Sequence, residues 1–138
     1  MSVKDQILVV VPARGGSKRL PKKNIRKINN KPMISWMLKE LVKFISKKQI
    51  LISTDDKNIV NLVKKMDFSV PFLRPAKISG DKTTTLEVAK HALNWYESNI
   101  KKMAYTLIIY PTSIFLKKRD LDNAFNEIKK NQKCTSLF

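Results

Sequence analysis

The run Arg14-Gly15-Gly16-Ser17-Lys18 opens a stretch in which positive charge surrounds a turn with no acid nearby. Between Asp5 and Glu40 there is no acidic side chain, whereas Arg14, Lys18, Arg19, Lys22, Lys23, Arg26, Lys27, Lys31 and Lys39 are basic. Gly15 and Gly16 lack a Cβ, so the backbone can turn sharply there and bring N–H groups against an anion. Arg14 and Ser17 flank the pair as side-chain donors. Such a field suits a polyphosphate. Two familiar phosphate loops do not fit: no second glycine stands where a Walker A loop needs one, and G-x-G-x-x-G is missing. The competing interpretation is a tight strand exit followed by solvated lysines.

Other reactive side chains carry weaker signals. Asp55 and Asp56 precede a helical pattern, and one of them is best used as its cap. Asp81 suits organising the "SGDKTTT" turn rather than binding metal. His91, the single histidine, falls in a helical segment with no paired acid or nucleophile, which favours a packing or surface role. Cys134 is read as a buried thiol, and Trp36 and Trp95 as core or interface residues.

These residues must be held by elements, and the pattern is alternating. Gln6 to Ala13, Gln49 to Thr54, Val70 to Leu73 and Ala104 to Tyr110 read as strands, the first as a buried one. Helical spacing is predicted from Lys31 through Ile45, after Asp55 or Asp56 through Met66, from the Thr84/Glu87 capping box to about Asn99, and over Asp120 to Lys130. "CTSLF" at the end reads as the opening of a further strand. Strands alternating with helices define an α/β chain with a mainly parallel sheet and helices on both faces. In such sheets the loops after the strands converge on one crevice. Arg14 to Asn24, Asp55 and Asp56, Arg74 to Thr85, and Tyr110 to Ser113 all occupy such loops.

Composition limits the function classes. The 138 residues, 43% of them hydrophobic, make about one domain with a packed core. There are 28 Lys and Arg against 11 Asp and Glu, a net charge of +17, which points to anionic partners. The single cysteine allows neither an internal disulfide nor a cysteine zinc site, and a reducing, cytoplasmic setting fits. Ile7 to Ala13 is too short to span a membrane. A nucleic-acid module is disfavoured, because Pro and Gly interrupt the basic loop and no aromatic residue lies between Arg14 and Lys31 to stack on bases.

The motifs taken together resemble the CMP-nonulosonic acid synthetases, the cytidylyltransferases that activate sialic and pseudaminic acids. Their first strand runs into a segment of the type A-R-x-x-S-K-x-x-x-x-K-N, and Ala13, Arg14, Ser17, Lys18, Lys23 and Asn24 occupy those places. The match continues in "ISTDD" (Ile52 to Asp56), "LRP" (Leu73 to Pro75), "SGDKTTTLEVAKHAL" (Ser79 to Leu93) and "YPTS" (Tyr110 to Ser113). The sialic acid enzymes usually carry Gln-Pro-Thr-Ser at the last motif. Tyr110 in that place, with "TTTLEV", leans towards the pseudaminic acid branch.

The resemblance implies a three-layer αβα, Rossmann-like nucleotide-diphospho-sugar transferase fold over residues 1–138, truncated at its C-terminal end. It implies CTP as the nucleotide and a pseudaminic or N-acylneuraminic acid as its acceptor. Arg14, Ser17, Lys23 and Asn24 would contact triphosphate and ribose, with Gly15 and Gly16 supplying backbone donors. Arg74 and Thr85 would lie on the cytosine and ribose side, and Tyr110 near the substrates. Arg14 and Lys23 are the expected catalytic groups. Mg²⁺ is the implied cofactor; its acidic ligands, much of the sugar pocket and a homodimerisation segment would lie beyond Phe138. No nucleic acid or membrane partner is implied. A cytidylyltransferase, a non-catalytic CTP-binding fragment and, last, a basic nucleic-acid binder remain the alternatives at this stage.

Overall fold

In the computed structural model, residues 2–17 and 19–131 are described. The centre is strand β1 (Ile7–Pro12), whose apolar run is buried along almost its whole length. The antiparallel pair β2 (Lys27–Ile28) and β3 (Lys31–Pro32) follows, and then helix α1 (Met33–Phe44). Strand β4 (Ile50–Ser53), helix α2 (Lys57–Lys65), helix α3 (Thr85–Asn99), strand β5 (Tyr105–Ile108) and helix α4 (Lys118–Lys130) complete the order.

β4, β1 and β5 form a parallel sheet in that order, with Val9 opposite Ile50 on one side and Leu107 on the other. Alternation along β1 decides the layers, since successive side chains face opposite sides. Ile7, Val9 and Val11 join α1, α2 and α4 through Ile34, Met37, Leu41, Ile59, Val63 and Leu121. Leu8 and Val10 meet α3 through Ala92 and Tyr96 on the other face. Helices therefore cover both faces, the three-layer arrangement expected from the alternating pattern. From β1 the chain crosses to β4 and then returns to β5 on the opposite side. Connections diverging from a central strand open a crevice at its carboxyl end.

Two expectations fail locally. Val70 to Leu73 is not a strand; Pro71 has no N–H for a ladder, and the segment is held by side chains, Val70 on one core cluster and Phe72 on the other. The first helix starts at Met33, not Lys31, because Asn29 (φ 47°) and Asn30 (φ 63°) both turn left-handed and fold Lys27 to Pro32 into a two-residue hairpin. The expected strand at "CTSLF", and Cys134 within it, lie outside the described residues. Among the described residues no helix is long and apolar enough to cross a membrane.

Candidate functional site

After Pro12 the chain stays beside β4 for one more residue, the Ala13 N–H donating to the Ser53 carbonyl at 2.9 Å. It then bends over the start of α2. The Gly15 N–H donates to Asp55 Oδ1 at 2.9 Å, and a Cβ on Gly15 would stand 2.5 Å from Asp56 Oδ2 and 2.7 Å from Asp56 Cβ. Asp56 has little room to yield, since its Oδ1 caps α2 by accepting from the Asn58 N–H at 2.7 Å. Glycine is required at 15 by close approach rather than by handedness, because none of the glycines has a positive φ. This corrects one expectation: the Gly15 N–H meets Asp55 instead of facing the crevice. Gly16, by contrast, has no atom within 4 Å of the place a Cβ would take.

The loop is closed from its far end. Lys22, at φ 54°, leads into a short 3-10 turn over Lys23–Ile25. Asn24, 5% exposed, donates its side-chain amide to the Arg14 carbonyl at 2.9 Å. The Arg14 guanidinium meets Asp81 at 2.8 Å, so Asp81 reaches across to the first loop.

The third loop supplies the opposite wall. Arg74 is 6% exposed; its Nη2 donates to the Ser53 carbonyl at 2.7 Å and its Nε to Ser53 Oγ at 3.1 Å. Burial pushes the guanidinium down from its ordinary value and Arg14 adds to this, while Asp55 pulls it back up. Thr84 caps α3, accepting the Glu87 N–H while the Glu87 carboxylate accepts the Thr84 N–H. Donation to that carboxylate, from the Thr84 N–H first and then from the Thr84 hydroxyl at 2.9 Å, holds the Glu87 carboxyl below its usual range. The next hydroxyl, Thr85, is hydrogen-bonded to that of Tyr110, which follows β5 and is 48% exposed.

Between these walls lies a crevice of about 470 Å³. It gathers Arg14, Ser17, Lys23, Asn24, Arg74, Thr85 and Tyr110, seven side chains singled out in the sequence; Gly15 and Gly16 do not line it. Pro12, Arg19, Leu20, Thr83, Thr84, Val88, Pro111 and Thr112 line it as well. Arg19, Thr83, Val88 and Thr112 stand inside stretches already marked as basic or as motifs, but nothing in the sequence singles out Leu20. His91 does not line the crevice: its Nδ1 is buried without a partner among the described residues, and its ring stands edge-on to Phe72 at 4.8 Å. The nearby acids are engaged, Asp55 with Gly15, Asp56 with α2 and Asp81 with Arg14. Among the described residues no three His, Cys, Asp or Glu side chains gather as metal ligands.

A crevice at the carboxyl ends of parallel strands is where α/β proteins take their ligands, and a lining of cations and hydroxyls suits phosphate groups. The comparisons narrow that reading. A model of the cytidylyltransferase family matches residues 8–138, and the chain belongs to that family. It is 30% identical over 125 residues to a pseudaminic acid cytidylyltransferase of Campylobacter jejuni, covering 91% of this chain and 54% of that protein. It is 39% identical over 103 residues to a CMP-N,N'-diacetyllegionaminic acid synthase of the same species, covering 75% of this chain and 44% of the relative. A solved CMP:2-keto-3-deoxy-manno-octonic acid synthetase, complexed with CTP, superposes with a TM-score of 0.70 at 19% identity over 92% of this chain and 48% of its own. That likeness shows the fold, an α/β cytidylyltransferase fold with a parallel sheet. The chain spans about half the length of these relatives.

Proposed function

We propose that this chain binds CTP in the crevice and forms the nucleotide-handling half of a cytidylyltransferase that passes CMP to a nonulosonic acid of the pseudaminic or N-acylneuraminic class. The observation that carries the reading is the convergence of Arg14, Ser17, Lys23, Asn24, Arg74 and Thr85 on one crevice, in a chain of the cytidylyltransferase family. The names of the relatives support the choice of acceptor.

In this reaction the anomeric hydroxyl of the sugar attacks the α-phosphorus of CTP. The new P–O bond forms as the bond to the β-phosphate breaks, pyrophosphate leaves, and the hydroxyl proton passes to solvent. Charge grows on the phosphoryl and leaving oxygens, so fixed cations favour the transition state over the bound substrate. Arg14 and Lys23 are assigned that task, each worth about 2 to 4 kcal/mol by analogy with single oxyanion donors. Arg14 first has to exchange Asp81 for phosphate. Asn24 closes the loop, Arg74 and Thr85 take the cytosine and ribose side, and Tyr110, hydrogen-bonded to Thr85, lies near the substrates. Mg²⁺ would add charge neutralisation on the phosphates, but the described residues do not form a cage for it. The partners in this reading are CTP, the sugar and a second copy of the chain, in the cytoplasm, not nucleic acid or a membrane.

A CTP-binding half without turnover is the second reading. Titration with CTP, ATP and an oligonucleotide, beside pyrophosphate release with pseudaminic or N-acetylneuraminic acid, separates them. Release that Lys23→Ala lowers more than about tenfold supports the transferase with Lys23 catalytic. CTP binding without release selects the second reading. Oligonucleotide binding without a CTP preference overturns both.

A further inference from the structure

The last residue of β4 and the three after it are polar, and each holds another part of the site. Ser53 anchors Ala13 and Arg74. The Thr54 carbonyl accepts the Arg74 N–H at 2.7 Å, and its hydroxyl accepts the Asp56 N–H at 3.1 Å. Asp56 caps α2. Asp55, unlike Asp56, caps no helix, and its Oδ1 accepts the Gly15 N–H at 2.9 Å.

A carboxylate here is a liability, because like charges repel an incoming polyphosphate. It does raise the tendency of Arg74 to stay ionised, yet an arginine is charged at neutral pH without that help. What the position needs is an acceptor for one N–H. Gly15 lies next to Arg14 and two residues from Ser17, and both of those line the crevice. A shift at Gly15 therefore moves two donors together.

We infer that Asp55 is a positioning residue: through the Gly15 N–H it fixes the Arg14–Ser17 turn against the phosphates, acting by its acceptor oxygen and not by its charge. The inference rests on the reading of the crevice as a CTP site, and it assigns Asp55 to the phosphate arm rather than to the base.

The test is calorimetric titration of the chain with CTP and with CMP, for the wild type, Asp55→Asn and Asp55→Ala, beside thermal melts. Asp55→Ala is expected to weaken CTP about tenfold while CMP changes less than about twofold. Asp55→Asn keeps an acceptor oxygen, and it is expected to bind CTP as tightly as the wild type or more tightly. An Asp55→Ala chain that keeps wild-type CTP affinity overturns the inference. So does an Asp55→Asn chain that folds but loses as much as Asp55→Ala, or an equal loss for CMP and CTP. If Asp55→Ala does not fold, Asp55→Asn decides alone, since weakened CTP binding there refutes the role. A wild type that binds tripolyphosphate but not CTP defeats the nucleotide reading only, and tripolyphosphate against monophosphate then serves the same comparison. A wild type that binds neither defeats both.

Discussion

Neighbouring glycines in this chain do different jobs. Gly15 is pressed against Asp56, where an added Cβ would sit 2.5 Å from Oδ2, while Gly16 faces open space. Gly15→Ala is therefore expected to cost about 1 to 3 kcal/mol of stability through overpacking. Gly16→Ala is expected to melt like the wild type and to bind CTP within about twofold of it, because the added methyl meets open space outside the crevice lining. Melting curves and CTP titrations of the two variants check this, and a Gly15→Ala protein as stable as the wild type would rule out the contact with Asp56 as the reason for glycine. The sequence marks the pair as a place where backbone and anion meet. It does not separate them, because the difference lies in an aspartate some forty residues away in the chain.

At the scale of elements, α3 is the best specified. Thr84 and Glu87 satisfy one another's backbone donors, and the helix runs from Thr85 to Asn99 as its spacing predicts. The cap also sets Thr85 at the crevice. Thr84→Ala is expected to lower stability by about 1 kcal/mol, read as a shifted denaturation midpoint, and an unmoved midpoint would show that the box adds nothing. Legibility falls where an element depends on a partner strand. Val70 to Leu73 has the composition of a strand, but Pro71 and the lack of a paired ladder leave it an irregular segment, bent at Phe72 and packed by that ring. The Asn29-Asn30 hairpin is a turn signal inside a basic run that otherwise reads as loop. Its consequence, a fixed lead from Asn24 into α1 with the Arg26 carbonyl accepting the Met33 N–H at 2.8 Å, depends on backbone angles.

Across the whole molecule, His91 records the packing of α3 against the segment before Arg74. Burial first, then the charges of Lys77 and Arg74, lower its pKa from 6.5. A histidine base harder to protonate when folded makes the unfolded chain the better proton acceptor, so stability falls as pH drops through 6.5 and levels off below the folded value. The lowered carboxylates Glu40, Glu87, Glu97 and Asp122 lose their contributions only as pH falls from 4.5 or 3.8 downwards, outside that window. Between about pH 7.5 and pH 5.5 the wild type is expected to lose more in melting temperature than His91→Gln. Equal losses would remove His91 as the cause.

By itself the sequence determined the alternation of strands and helices, the Thr84 cap and an aspartate cap at Asp55 or Asp56, and the set of cations and hydroxyls that belong together. Each of these follows from local periodicity or from short-range hydrogen bonding, which few neighbouring residues decide. Only the tertiary structure decided how the set is used. It paired Arg14 with Asp81, gave the Gly15 N–H to Asp55, buried Arg74 on Ser53 and joined Thr85 to Tyr110. Those are contacts between strand ends brought side by side by the β4-β1-β5 order, and no local pattern in the chain encodes which loop faces which.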